Sequence, residues 1–160
     1  MPAPPRHSRT GAAVTELILD VFRLNGRLLA EGDRLVADIG LTSARWQVLG
    51  AIALADRPLP VAHLARNMGL TRQGVQRVVN ELAADGLVAF APNPHHLRAK
   101  LVVLTERGSD AYRAASARQA PWVDGLAAGL PERDVATATR VIRVLLDRLD
   151  ANQAERRPAA

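Results

Sequence analysis

The run Val61–Leu82, VAHLARNMGLTRQGVQRVVNEL, narrows most sharply what this chain can fold into. Val61, Leu64, Ala65 and Met68 recur at i, i+3, i+4 and i+7, the apolar stripe of a half-buried helix. Gly69 follows, where a left-handed helix-ending residue costs least as glycine. Thr71 stands where its side-chain oxygen can cap a second helix. In that helix Val75, Val78, Val79 and Leu82 repeat the apolar spacing. Two helices that cross steeply need a small residue at the contact, a glycine at the turn and a branched apolar residue to lock the second helix. Ala65 stands four residues before Gly69 and Val75 six after it, so the spacing predicts a helix-turn-helix. An ordinary pair of core helices is the competing reading, and the three features together weigh against it.

The flanks extend this pattern. Met1–Thr10 carries Pro2, Pro4 and Pro5 and reads as a flexible arm, taken as residues 1–11. A long helix is expected from about Ala12 to Glu31, with Val14, Leu17, Ile18, Val21, Leu24 and Leu28 on one face and Phe22 beside it. Gly32 interrupts it, and Leu35, Val36 and Ile39 continue weakly to Gly40. Thr42 caps a second helix, Ser43–Leu54, which turns Trp46, Leu49, Ile52 and Ala53 inward. Pro60 suits the first turn of the next helix, where its missing donor costs nothing.

After Leu82, Asp85-Gly86 is a helix stop. Leu87–Ala91 and Leu101–Leu104 are short apolar runs joined by the polar loop PNPHHLRAK, which reads as a β-hairpin. A hairpin directly after the second helix of a helix-turn-helix is a wing. Thr105 caps a further helix with Glu106 in its first turn. That helix carries Tyr112, Trp122 and Val123, and Pro121 is expected to kink or break it. Gly129-Leu130-Pro131 is a boundary. A last helix, Glu132–Asp150, spaces Val135, Ala138, Ile142, Leu145 and Leu149 in a narrow coiled-coil-like seam, and 151–160 reads as a loose tail.

Charge adds a direction. The formal net charge is +5, with twenty arginines and one lysine. Between Arg57 and Arg107 seven basic residues face three acids, so the excess concentrates on the helix-turn-helix and the segment after it. That is the footprint of a nucleic-acid surface, against the plainer reading of a solvated basic face. No cysteine is present, which removes disulfides and thiolate metal sites. The N-terminus has no apolar stretch of signal-peptide type, and no apolar run approaches the roughly 20 residues of a membrane span. A cytoplasmic protein is expected. Neither G-x-S-x-G, a P-loop nor a dinucleotide glycine run occurs, so no enzyme is expected.

The ordered runs GLTSARWQVL, LARNMGLTRQGVQRVVNELAADGLV and LRAKLVVLTERG resemble the MarR family of bacterial winged-helix transcriptional regulators, and the resemblance covers about Val14 to Leu149. It implies a mainly α fold with a small β-hairpin wing: a winged helix-turn-helix DNA-binding domain (41–104) plus a helical dimerisation domain (12–40 and 105–150). It further implies a homodimer on double-stranded DNA, with the second helix in the major groove and the wing in the minor groove. Many members are repressors released by a small aromatic or phenolic ligand bound between the domains. The wing departs from the family pattern. Where an Asp-Arg-Arg run is common, this chain has His96, Leu97 and Arg98, and two usually basic positions are Phe90 and Ala91.

Candidate contacts follow. With Val75, Val78, Val79 and Leu82 inward, the opposite face carries Arg72, Gln73, Gln76, Arg77 and Asn80. Arginine can bond guanine bidentately, and glutamine or asparagine can bond adenine. The N–H groups after Thr71 can hold a phosphate, and Gly74 lets the backbone come close to DNA. Arg98 and Lys100 are the wing cations. Phe22, Arg45 and Trp46 are candidates for a ligand pocket, although core packing for the two aromatics and solvation for the arginine are the simpler assignments. His95 and His96 do not make a metal site, because zinc needs about four ligands in suitable geometry. Solvated loop residues are the plainer reading of both; the sharper one is that protonation near pH 6 adds charge beside the phosphates and tightens DNA binding.

Overall fold

In a computed structural model of the chain, residues 8–94, 96 and 98–155 are described, the side chains of 153 and 154 excepted. The expected arm and tail at 1–7 and 156–160, and His95 and Leu97 of the wing, lie outside the described residues. Ten elements follow in order. They are α1 (Arg9–Val36), a 3-10 turn (Ala37–Ile39), α2 (Ser43–Ala53), β1 (Leu59–Pro60), α3 (Val61–Asn67), α4 (Arg72–Ala84), β2 (Val88–Ala91), β3 (Leu101–Leu104), α5 (Glu106–Ala127) and α6 (Glu132–Glu155). The chain is mainly α with a small antiparallel sheet. It divides into two compact units, Met1–Ala120 and Pro121–Ala160.

Helix ends in the first unit are set by the residues that the sequence singles out. Thr42, Thr71 and Thr105 each accept, through the hydroxyl oxygen, a hydrogen bond from a backbone N–H three residues on, at 3.3, 3.1 and 3.0 Å. At the other end of α3, Gly69 adopts φ +65°. Its N–H bonds Arg66 O at 3.1 Å and Leu70 N–H bonds Ala65 O at 2.9 Å. This doubly bonded stop satisfies carbonyls that a helix end leaves open. Gly86, φ +70°, repeats it after α4 through Ala83 O and Leu82 O.

The core sits where α2, α3 and α4 meet the sheet. Val48, Leu49, Leu64, Val75, Val79, Leu82 and Val102 are almost wholly buried, and Val36 joins them from the end of α1. Each such side chain contributes roughly 1.5–3 kcal/mol of transfer free energy. The hairpin pairs Val88 with Leu104 through to Ala91 with Leu101. A third strand, not expected, lies on its other side: β1 pairs Leu59 with Val102 and Pro60 with Leu101. Pro60 is accordingly the extended residue that precedes α3 and not its first turn.

Several boundaries differ from expectation. α1 begins at Arg9, with Ser8 as cap, and runs straight through Gly32 to Val36. A Cβ on Gly32 would stand 2.9 Å from Ser43 Oγ, so glycine there lets α1 approach α2. In the next position, Asp33 Oδ1 accepts the Ser43 N–H at 2.6 Å, a second cap for α2 donated from outside it. Pro121 does not end α5; the helix continues to Ala127, and the boundary between the two units falls at this residue. α6 continues through Glu155, so the first part of the expected tail is helical.

The long helices are exposed in the single chain. On α1 only Gly32 and Val36 are buried, while Ile18, Leu24 and Phe22 are 41, 54 and 69 % exposed. On α6, Val135, Ile142 and Leu149 of the seam are all exposed. Among the described residues no helix is long and apolar enough to cross a membrane.

Candidate nucleic-acid interface

α4 divides cleanly by face. Val75, Val78, Val79 and Leu82 are at most 7 % exposed. Arg72, Gln73, Arg77 and Asn80 are exposed and Gln76 is half-buried. These five polar residues line one open groove along the helix. Two pairs order them. Gln76 Nε2 donates to Asn80 Oδ1 at 2.9 Å, leaving the Asn80 amide as donor and the Gln76 oxygen as acceptor. Arg77 Nη1 lies 3.0 Å from Glu81 Oε1, with both side chains largely exposed. A solvent-exposed i,i+4 pair of this kind contributes only about 0.3–0.5 kcal/mol, so Arg77 can leave Glu81 at small cost.

The base of α4 is braced from two sides. Thr105 Oγ1 donates towards Gly86 O (2.8 Å) and Leu87 O (3.1 Å), and Thr105 N–H also bonds Leu87 O at 3.1 Å. The Leu104–Gly108 motif thus joins the end of α4, the hairpin base and the start of α5. On the opposite side Arg45 ion-pairs with Asp85, the residue that caps the end of α4, and also donates to Gly40 O at 3.3 Å. Its side chain is 17 % exposed. Arg45 is therefore a built-in tie and not the solvated cation anticipated from sequence. Trp46 packs against the core, whereas Phe22 stands exposed on α1.

The wing contributes a second groove. Arg98, Lys100 and Phe90 line it together with Arg72 and Gln76 of α4 and the Pro60–Ala62 segment; its volume is about 290 Å³. Arg72 and Gln76 belong to both grooves, so the polar face of α4 and the wing cations form a continuous strip. Among the described residues no acid lines either groove. The wing loop is held by Asn93, which sequence reasoning missed. Asn93 is buried, its Nδ2 donates to Ala99 O at 2.8 Å, and its carbonyl accepts the His96 N–H at 3.3 Å. A short amide between Pro92 and Pro94 was the available signal, since Asn commonly bonds nearby backbone in turns. His96 is exposed on a separate surface that it shares with His63 and Arg57.

Comparison with known proteins is consistent with this arrangement. The family model described as MarR family matches residues 39–99. An uncharacterized protein of Mycobacterium tuberculosis is 44 % identical over 105 residues, 66 % of this chain and 72 % of that protein. The transcriptional activatory protein BadR of Rhodopseudomonas palustris is 31 % identical over 94 residues, 58 % of this chain and 54 % of that protein. Among solved structures, Sco5413, a MarR family transcriptional regulator from Streptomyces coelicolor, matches with a TM-score of 0.71 at 26 % identity, covering 89 % of this chain and 98 % of that one.

Proposed function

We propose that this chain, which belongs to the MarR family of winged helix-turn-helix transcriptional regulators, binds a pseudo-palindromic operator as a homodimer and represses transcription. The observation that carries this reading is the strip shared by Arg72 and Gln76. α4 offers donors and acceptors of the kind that read base edges, and Arg98 and Lys100 continue the positive charge onto the wing. In this reading Thr71, Arg72, Gln73, Gln76, Arg77 and Asn80 face the major groove. Phosphates lie along Arg98 and Lys100.

The dimer is supported by the exposed apolar faces of α1 and α6. A row of exposed large apolar side chains along each helix marks an interaction site. We assign helices 12–40 and 105–150 to dimerisation and 41–104 to DNA binding. A two-fold pair would set the half-sites about one helical turn apart. Release by a small aromatic or phenolic ligand belongs to the same proposal. With Arg45 engaged by Asp85, Phe22 and Trp46 are the side chains that remain for such a ligand.

Selection of bound sequences from random duplex DNA tests the proposal. The expected result is an inverted repeat, retained with an affinity that falls steeply with salt as counterions are released. A chain that serves only as a protein-binding module or a ligand scaffold would retain no duplex in dilute buffer. The name of BadR favours a second reading, activation in place of repression. A reporter driven by the selected operator separates them by the sign of its response.

A further inference from the structure

Phe90 is an anomaly in the groove between α4 and the wing. It is a large apolar side chain, 39 % exposed, on a strand whose cross-strand partner Val102 is fully buried. Its neighbours along the groove are Arg72, Lys100 and Arg98, with Val61 and Ala62 on the same lining. An exposed aromatic ring among three cations and no acid suits a ligand that alternates apolar and anionic groups at short spacing. A sugar–phosphate strand does so: each deoxyribose presents C–H surface, flanked by phosphates. From these observations we infer that one DNA strand crosses this groove between the major and minor grooves, with Phe90 packed on a deoxyribose and Arg72 and Lys100 on the phosphates at either side. Phe90 is then an apolar anchor that sets where the wing sits on the backbone.

This inference rests on the DNA-binding reading above. Its test uses the full-length protein and the random-sequence duplex pool, titrated over a salt series. Removing the ring in Phe90→Ala should weaken binding about tenfold while leaving the salt slope unchanged, because apolar contact releases no counterion. Arg72→Ala and Lys100→Ala should each flatten the slope by about one. Phe90→Lys should steepen it by about one, since a cation placed there would reach a phosphate. Thermal melting of the free variants guards against a folding defect, and Phe90→Lys reports even where Phe90→Ala melts early. Unchanged affinity and slope in both Phe90 variants, with wild type binding normally, would overturn the inference alone. Failure of wild type to bind any duplex would overturn it together with the reading beneath it.

Discussion

At the scale of single residues, the Thr105–Gly108 turn does more than its length suggests. A Cβ on Gly108 would stand 1.8 Å from the Leu87 carbonyl oxygen, far inside contact distance. The neighbour is backbone, held by three hydrogen bonds of its own, and cannot give way. Gly108→Ala is therefore expected to cost roughly 3 kcal/mol or more, the upper range for overpacking, read as a fall in the urea midpoint. Thr105 was legible as a cap from sequence, whereas its bonds to Gly86 and Leu87, some 18 residues back, were not. Local patterns carry helix ends but not the partners that tertiary contact brings to them. The same limit hid the role of Arg45, whose partner Asp85 lies 40 residues away. Arg77 was legible as an exposed polar position, and its pairing with Glu81 follows from i,i+4 spacing. If Arg77 reads a base, Arg77→Ala should lose about 1–3 kcal/mol of affinity and relax specificity at one position of the selected site. A phosphate contact would instead weaken binding to all sequences and flatten the salt slope, and an unchanged profile would remove Arg77 from the interface.

Among the elements, amphipathic spacing gave α3 and α4, the Thr42 cap gave the start of α2, and two apolar runs around a polar loop gave the hairpin, each within a few residues. β1 escaped because two residues, one of them proline, show no periodicity; it exists only because β3 offers an edge to pair with. Gly32 reads locally as a helix break, since glycine in a helix costs about 1 kcal/mol relative to alanine. The close approach to Ser43 outweighs that preference. One tie between elements carries a pH dependence. Arg118 of α5 donates to both oxygens of Asp38, at 3.1 and 2.6 Å, and this hydrogen bonding holds the Asp38 carboxyl below its ordinary value of 3.8. A carboxyl lowered on folding stabilises the fold above its unfolded pKa, and the contribution is lost as pH falls through the folded one. Asp38→Asn should therefore lower the denaturant midpoint at neutral pH, and the gap from wild type should close progressively below pH 3.8. A gap that persists in acid would assign the loss to packing instead of charge. Added salt should narrow it as well, because Asp38 is exposed to solvent.

For the molecule as a whole, the exposed faces of α1 and α6 set the expectation. The sequence places Ile18, Val21, Leu24 and Leu28 on one face of α1; within one chain that face is exposed, as it must be if its partner is a second copy. Sedimentation should show a dimer in wild type, and Leu24→Asp or Ile142→Asp should shift it to monomer and weaken operator binding together. A stable wild-type monomer would refute the dimer. The Arg45–Asp85 tie has a mechanical corollary for such an assembly. It ties α2 to α4 at the end remote from Thr71, and the two helices share one core, so a tilt of α2 would carry α4 with it as a loom carries its oar. Thirteen residues make a shaft of about 20 Å, and each degree of swing carries the blade roughly 0.3 Å sideways. Directional bonds to base edges tolerate about half an ångström. A couple of degrees, applied through α2 at the handle, is enough to lift the blade out of register.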